Sequence, residues 1–546
     1  MTVTMVARTK VRVWLSLAMI AVGAGLIGAA VAYGDSSAGA VRQGGMFRVV
    51  MKSGGLDFVD PALSTGPGWA LLDATCAKLM NFADKPGRAG TRLVPEVAAG
   101  DPRVSRDGKT YTFTLRRSFR FSNKRPVRPL AFAWEIARVL ALGDSTYGAG
   151  FVSDIVGAED VRPGQPRVPS GVATRGNRLI VHLKSPSPDF PARTAMPYFC
   201  AVPPNLPSDP EGRAAFPGSG PYYVAKFVRG RRVVIRRNRY YRGSRQHHVD
   251  GFVVADAPDD GAVLDRVDSG RADYAMPEAP APYFPQGLDK KYGVHGPRLT
   301  VVPGLGLVYY ALNLSRPLFR NNLPLRRAVN FAVDRAAIRG MLGGRYSSTL
   351  TDQFLPPGLA GFRDARVYRR SLSTARRLAS GHRRGGKAIL YTQDVVPLKA
   401  AAQVVKRNLA RIGIDVELKG LPFGAYRRIL ADPREPWDIA FTGWFPDYVD
   451  PFQYLNVLFD SSFVGVSNFS RFSSPKYDRL LRHAARLRGT ARSRAYGRLD
   501  VQITRDVAPL VPIGILNATT FVSKRVDPRC IVLRPELDLA AVCLKR

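Results

Sequence analysis

Residues 387–419 read KAILYTQDVVPLKAAAQVVKRNLARIGIDVELK, and this segment indicates the fold class most directly. An apolar run at 388–391 predicts a strand, residues from about 397 to 411 have the spacing of an amphipathic helix, and 414–418 predict a second strand after Gly413. A strand, a helix and a strand within about thirty residues imply a right-handed crossover between parallel strands. We therefore expect an α/β protein with a parallel sheet.

Further strands are expected on the amino-terminal side of this segment. Residues 109–121 and 231–236 alternate between polar and apolar side chains, as half-buried strands do. Residues 171–184 predict a hairpin that turns at Gly176-Asn177.

Helical spacing is clearest in two other places. Residues 324–344 predict one long helix, with Pro324 in its first turn and a Gly-Gly pair at its end. Residues 475–506 predict two basic helices that are separated near Gly489.

Length and composition limit the class of protein. The chain has 546 residues, enough for about three to four domains. Hydrophobic residues make up 45% of it, which excludes a mainly disordered chain. The formal net charge is +38, and the basic residues are spread along the chain. This charge has two interpretations: a solvated, Arg-rich surface, or attraction to a polyanion such as nucleic acid, anionic lipid or a wall polymer.

The amino terminus predicts export. Arg8, Lys10 and Arg12 precede an apolar run at 13–32, which ends in the small residues Ala-Val-Ala. Basic, apolar and small residues in this order are typical of a secretory signal peptide. The run is also close to the length that spans a bilayer, so an uncleaved N-terminal membrane anchor is the alternative. We expect an extracytoplasmic protein, in the periplasm or on the outer cell surface.

The four cysteines allow three disulfide pairings, and the sequence does not distinguish them. An exported chain is in a compartment where disulfides persist. We favour Cys76 with Cys200 and Cys530 with Cys543, which would close one long loop and one short loop.

The usual catalytic and cofactor motifs are absent from the sequence. It has no G-x-S-x-G, no P-loop and no H-E-x-x-H, and its six histidines are scattered. The basic run 229–241, RGRRVVIRRNRYY, is the nearest candidate for nucleic-acid binding, but its apolar centre alternates with arginines as a solvated strand does. We therefore expect a protein that is not an enzyme, with no cofactor, no metal site and no nucleic-acid partner.

A second segment, residues 437–459, reads WDIAFTGWFPDYVDPFQYLNVLF. Its buried strand, 439–442, ends at Gly443, and Asp447 follows among large aromatic side chains. A carboxylate beside apolar surface loses solvation unless a cation or several donors compensate it, and aromatic faces also attract cations. This pattern suits a ligand with a positively charged group, such as a free ammonium. The alternative is that Asp447 caps the following turn and Trp444 fills the core.

Six motifs follow one another along the chain. They are GGMFR at 44–48, DPA at 60–62, LVPEV at 93–97, the segment 218–242 that begins GSGPYY, the segment 309–335 that ends AVNFAVDR, and GWFPDYVDP at 443–451. Each motif is weak by itself. Together and in this order they resemble the family 5 extracellular solute-binding proteins, the peptide- and nickel-binding class that serves ABC importers.

The resemblance implies a two-lobed, periplasmic-binding-protein-like fold of type II, with two hinge strands and a small domain inserted in lobe one. The expected boundaries are 41–75, 195–300 and 510–546 for lobe one, 76–194 for the small inserted domain, and 301–509 for lobe two. Ligand is expected between the lobes, where it stabilises the closed form because only that form lets both lobes touch it.

The resemblance also implies a site and partners. In peptide-binding relatives, the acid three residues after the tryptophan pairs with the α-amino group of the ligand. The candidate ligand-binding residues of this chain are therefore Asp447, Trp444, Gly443, Phe445 and Tyr448. The expected partners are a peptide or small cationic solute and an ABC permease complex in the membrane, and the expected state is a monomer. The alternative function is a surface-anchored adhesin or scaffold that binds polyanions.

Overall fold

Two large sheets, two smaller antiparallel sheets and surrounding helices make up the fold. The computed structural model describes residues 40–54, 58–66, 68–212, 215–276, 287–534 and 537–546. Residues Val41–Arg546 form one compact unit. The predicted signal peptide or anchor, residues 1–32, lies outside the described residues. Among the helices of the described ranges, none has both the length and the apolar character needed to cross a membrane.

The strands, numbered along the chain, are β1 Met46–Lys52, β2 Met80–Phe82, β3 Leu93–Pro95, β4 Arg103–Val104, β5 Thr110–Thr114, β6 Val172–Arg175, β7 Arg178–His182, β8 Tyr222–Val228, β9 Arg232–Arg237, β10 Gly251–Ala257, β11 Tyr274–Ala275, β12 Leu299–Leu312, β13 Ser348–Leu350, β14 Lys387–Gln393, β15 Asp415–Leu421, β16 Ile439–Trp444 and β17 Leu510–Phe521.

The α-helices are α1 Gly68–Thr75, α2 Pro129–Leu142, α3 Ala149–Val152, α4 Phe190–Arg193, α5 Asp260–Asp268, α6 Leu288–Tyr292, α7 Leu323–Ala332, α8 Arg335–Met341, α9 Leu372–Ala379, α10 Val396–Ala410, α11 Phe423–Ala431, α12 Phe452–Phe459, α13 Pro475–Arg486 and α14 Gly489–Asp506. Short 3₁₀ turns lie at Gly87–Thr91, Gly143–Ser145, Ala158–Asp160, Pro197–Phe199, Ser461–Phe463 and Pro528–Cys530.

The first large sheet has the order β11-β1-β10-β9-β8. Strand β1 runs parallel to both of its neighbours, whereas β10, β9 and β8 pair antiparallel. Its core joins distant parts of the sequence, since Phe47, Tyr222 and Phe252 pack in one cluster with Val542 near the carboxyl terminus.

The second large sheet has the order β13-β17-β12-β16-β14-β15. Strand β14 is parallel to β15 and to β16, and the other pairs are antiparallel. Apolar clusters cover both of its faces, one around Leu325 and Val405 and the other around Trp437, Tyr454 and Tyr496. The sheet is therefore buried on both sides, as parallel strands connected by helices require.

Strands β12 and β17 connect the two large sheets. They pair antiparallel along most of their length, from Leu299 opposite Phe521 to Ala311 opposite Leu510. Their ends around Leu299 pack with Val50 of the first sheet, and Val522, directly after β17, forms a bridge with Tyr274 of β11. The resemblance implies two hinge strands between the lobes, and a hinge role of β12 and β17 stays a prediction.

A four-stranded antiparallel sheet of order β4-β5-β7-β6 is inserted in sequence between β1 and β8. Tyr111, Phe113, Leu179 and Val181 point from this sheet into a core that also contains Phe132 of α2. The sheet lies within the range 76–194 that the sequence assigns to a small inserted domain, and the domain boundaries stay a prediction.

Most of the predicted elements are confirmed. The segment 387–419 forms β14, α10 and β15 with parallel strands, the hairpin 171–184 turns at the predicted place, and 475–506 form two helices. The predicted disulfides, Cys76–Cys200 and Cys530–Cys543, are both present.

The single helix predicted over 324–344 is wrong. Helix α7 ends at Ala332, because Val333 has extended backbone with ψ of 126°. Asp334 then caps a separate helix, α8, by accepting the backbone N–H of Ala337 at 3.0 Å. An aspartate inside an apolar stripe is a signal for an N-cap, and this local bond outweighs the continuous helical spacing.

Candidate ligand-binding site

A cavity of about 350 Å³ lies where the two large sheets meet. On the side of the first sheet, the cavity is lined by α1, by the segment around Asn81 and by residues near the carboxyl terminus. The second sheet contributes the loop after β16, at 445–449, and both connecting strands contribute their central segments, 304–306 and 516–520. Parts of the chain that are far apart in sequence therefore line one cavity.

The loop between β16 and α12 has a fixed conformation. Asp450 accepts the backbone N–H of Phe452 at 2.8 Å and binds both terminal nitrogens of Arg492, at 2.7 and 2.8 Å. Gln453 accepts the backbone N–H of Asp447 through Oε1 at 3.0 Å. Asp450 therefore holds the turn that leads into α12. The Asp447 side chain bonds to the Tyr147 hydroxyl and accepts no bond from the following turn among the described residues, so the alternative that Asp447 caps this turn is wrong.

Tyr448 ties this loop to the opposite side of the cavity. Its side chain is buried in the core of the four-stranded sheet, and its hydroxyl donates to Asp189 Oδ2 at 2.6 Å. Its ring also makes an edge contact with Phe151, with ring centroids 6.4 Å apart. Asp189 keeps its charge because, although burial raises its pKa, Arg193 and the Tyr448 hydroxyl lower it below the usual value. The contact joins the two sides of the cavity.

Asp447 lies on the cavity wall and is half-buried. Its Oδ1 accepts a hydrogen bond of 3.0 Å from the Tyr147 hydroxyl. Burial raises the pKa of Asp447 to about 6, against the opposing effects of the Tyr147 hydrogen bond, a backbone N–H and the positive charge of Arg427. Within the described ranges, no cation lies at ion-pair distance from it. The carboxylate therefore has an unmet preference for a positive charge.

Phe445 and Tyr448 also line the cavity, but Gly443 and Trp444 do not. Gly443 is paired with Val308 inside the second sheet, and Trp444 packs against the core beneath it. The structure therefore brings three of the five predicted residues together at the cavity. Trp444 packs as the core alternative predicts, and the contribution of Gly443 and Trp444 to ligand binding stays a prediction.

Gly306 explains how Phe445 can cover this part of the cavity. A Cβ atom at position 306 would lie 2.5 Å from Cε1 of Phe445, which is closer than real atoms approach. A side chain at position 306 would therefore displace the Phe445 ring, which is 44% exposed, from this place.

The cavity residues on the side of the first sheet were not predicted from the sequence. Asn81 lies there on the short strand β2, and it is 4% exposed. Its Oδ1 accepts the backbone N–H of Phe82 at 2.8 Å, which fixes the orientation of the amide. Its Nδ2 is buried and has no partner among the described residues. No motif of the sequence singles out this position.

Charged residues on the same wall compensate one another. Asp73 pairs with Lys78, with Arg245 at 2.8 Å and with Arg534 at 2.7 Å. Although burial raises its pKa, these three cations hold the pKa of Asp73 well below its usual range. Arg534 is bound in addition by Asp538 at 2.9 Å. The cations on this wall are thus paired, in contrast to Asp447 across the cavity.

No group of three or more His, Cys, Asp or Glu side chains suited to a metal ion occurs in the part of the chain that the structure describes. The site combines one uncompensated carboxylate, aromatic rings and an unpaired amide with a wall of mutually paired charges.

Sequence comparison finds relatives over most of the chain. The family model for bacterial extracellular solute-binding proteins, family 5, middle part, matches residues 92–465. The probable D,D-dipeptide-binding periplasmic protein DdpA of Escherichia coli (strain K12) is 25% identical, over 84% of this chain and 87% of the relative. The oligopeptide-binding protein OppA of Bacillus subtilis (strain 168) is 24% identical, over 69% and 71% of the two chains.

Solved structures share the fold. The clavulanic acid biosynthesis oligopeptide binding protein 2 has a TM-score of 0.82 at 23% identity and covers 92% of this chain and 96% of its own. The periplasmic murein tripeptide binding protein MppA, in its unliganded open form, has a TM-score of 0.75 at 22% identity and covers 92% and 98%. These neighbours confirm the predicted α/β, periplasmic-binding-protein-like fold, and the small inserted domain stays a prediction. Because the family model matches more than half of its residues, the chain belongs to the family 5 bacterial extracellular solute-binding proteins.

Proposed function

We propose that this protein captures a short peptide, or a similar small solute with a free ammonium group, and delivers it to an ABC permease in the membrane. The observation that carries this proposal is Asp447, a half-buried carboxylate that lines the cavity and has no cation partner among the described residues. A ligand ammonium would supply the missing charge through a charge-assisted hydrogen bond. Phe445 and Tyr448 would provide aromatic surface beside it.

The cavity supports a small ligand. A volume of about 350 Å³ is near the lower end of the range of small-molecule pockets, roughly 300 to 1,000 Å³. The names of the relatives agree with this size class, since they include a D,D-dipeptide-binding and a murein tripeptide binding protein. A di- or tripeptide is therefore the ligand class that we favour.

Asn81 supports a second contact. An amide Nδ2 that is buried without a partner has lost its hydrogen bonds to water, at a cost of about 1–3 kcal/mol. A carbonyl or carboxylate oxygen of the ligand would restore one of them. The ligand would then contact both sides of the cavity, with its ammonium at Asp447 and an oxygen at Asn81.

The remaining parts of the proposal concern location and assembly. DdpA and MppA are described as periplasmic and the family as extracellular, which supports delivery of the ligand outside the cytoplasm. We propose a monomer that is exported through its N-terminal segment. None of these relatives is described as an adhesin or scaffold, so we do not propose a surface-anchored adhesin or scaffold as the function.

Native mass spectrometry of the purified protein, followed by calorimetry, tests the proposed function. We expect a co-purified ligand with the mass of a short peptide, or binding from an equimolar mixture of unmodified di- and tripeptides. The matched control is the same mixture with acetylated amino termini, because acetylation removes only the ammonium charge. Equal binding of both mixtures would rule out the role of the ammonium, and absence of binding from both would refute the peptide class.

A further inference from the structure

A second concave region lies on the outer face of the four-stranded sheet. It encloses about 530 Å³ and shares no lining residue with the ligand cavity. Its lining includes Arg103 of β4, Arg175 of β6 and Arg178 of β7, and no acidic side chain. We refer to these three residues and the surface between them as the arginine trough.

The arginines of the trough are not compensated within the protein. Arg175 and Arg178 are directly opposite each other in the hairpin, and like charges in this position destabilise a strand pair. None of the three side chains forms an ion pair or hydrogen bond with another residue in the described ranges. The acid Asp107, which is nearby in sequence, is already bound by the hydroxyl of Ser105 and the backbone N–H of Lys109. An external anion would therefore relieve repulsion that the fold leaves in place.

The trough extends across the whole sheet. Strands β4 and β6 are its two edges, three strand spacings apart in the order β4-β5-β7-β6, which corresponds to about 14 Å. Thr112 and Ile180 are neighbours in register on the two central strands and form a half-buried floor. Arg103 lies beside Thr112 on the edge strand β4. On the other edge strand, β6, Arg175 is opposite Arg178, which lies on β7 two residues before Ile180. Positive charge thus flanks a recessed floor on both sides.

We propose that the arginine trough binds an extended polyanion that carries phosphate groups, as a contact separate from ligand capture. Arginine forks bind phosphate oxygens in a bidentate manner, and the Thr112 hydroxyl offers a further donor on the floor. No aromatic side chain lines the trough, so bases have nothing to stack on, and the partner is a phosphate chain without bases. A linear chain can reach the recessed floor, whereas a flat membrane would touch only the ends of the arginines.

Titration with inorganic polyphosphate at physiological salt tests the proposal on the full chain. We expect the variant R103Q/R175Q/R178Q to bind at least tenfold more weakly than the wild type. The matched control is R479Q/R486Q/R494Q, which removes the same charge from exposed positions of α13 and α14. We expect the control to bind within about threefold of the wild type. Equal losses in both variants would show a bulk charge effect and overturn the proposal, as would absence of binding to the wild type.

Two further measurements test whether the trough itself binds the polyanion and whether it selects phosphate. In R175E, the new carboxylate is opposite Arg178, so we expect a raised melting temperature together with weaker polyphosphate binding. A variant that is more stable and still binds fully would contradict the proposal, and neither result depends on peptide capture.

Polyglutamate of equal length and vesicles containing phosphatidylglycerol are the comparison partners. If the protein bound polyglutamate or the vesicles as tightly as polyphosphate, the assignment of a phosphate chain would be overturned.

Discussion

Replacing Asp447 by asparagine removes one charge from the cavity and leaves its shape unchanged. The new amide oxygen can still accept the Tyr147 hydroxyl, which is 3.0 Å from Oδ1 in the wild type. A hydrogen bond to a charged group is worth about 1.5–3 kcal/mol, and about 1.4 kcal/mol is a factor of ten in affinity. We therefore expect Asp447→Asn to weaken the binding of an ammonium-bearing peptide by about ten- to a hundredfold.

The pH dependence of peptide affinity is a second test of the Asp447 charge. With the pKa of Asp447 raised to about 6 by burial, about one carboxyl in ten is ionised at pH 5 and nearly all at pH 7.5. We therefore expect wild-type affinity to fall by about tenfold between pH 7.5 and pH 5, while the affinity of Asp447→Asn stays level. The stability of the free protein changes in the opposite direction. The folded pKa lies above the unfolded value, so the contribution of this group to stability decreases as pH rises through about 6.

Calorimetry with the tightest-binding di- or tripeptide measures both effects. The matched control is Asp364→Asn, which removes a carboxylate that is paired with Arg366 on the surface and does not line the cavity. We expect this control to keep wild-type affinity at both pH values. If Asp447→Asn bound the peptide as tightly as the control at pH 7.5, the proposed role of the carboxylate would be refuted.

Three further changes probe the cavity and the core. In Tyr147→Phe the donor that lowers the pKa of Asp447 is lost, so the pH midpoint of peptide binding should move upward; an unchanged midpoint in the same titration would contradict this. Asn81→Leu removes the unpaired Nδ2 together with the acceptor of the Phe82 N–H, and we expect a loss of affinity of about five- to tenfold by calorimetry and a lower melting temperature, whereas full affinity would exclude a contact to the ligand. Burial raises the pKa of Asp500 to about 7, above its unfolded value, so this carboxyl makes the fold less stable as pH rises from about 4 to 7. Asp500→Asn should therefore gain stability relative to the wild type between pH 5 and pH 8, and thermal unfolding that shows a constant difference would argue against this charge effect.

Local patterns predicted much of the fold. Residues 387–419 predict β14, α10 and β15 because apolar spacing reports which face of an element is buried. The same reasoning fails over 324–344, where the cap formed by Asp334 divides one apolar stripe into two helices. The register of the long pair β12 and β17 could not be predicted, since it joins residues about two hundred positions apart.

The binding site also contains residues that the sequence predicted and residues that it did not. An acid among aromatics after a strand drew attention to Asp447, and the structure places it on the cavity wall. Its neighbours on the other side were not predictable. Tyr147 and Asn81 belong to segments without a motif. Only the folded chain brings Tyr147 to Asp447, and Asn81 to the same cavity as the loop after β16.

The sequence by itself determined the α/β class, the order of most elements and the family, because these depend on periodicity and on motifs that are read along the chain. Only the tertiary structure decided which acid is paired with a cation and which one lacks one, since Asp447 and Asp450 are alike in sequence and differ in their neighbours in space. Asp450 is bound by Arg492, and Asp447 faces the cavity. Burial and charge compensation depend on groups that are far apart along the chain, so they are fixed only when the chain has folded.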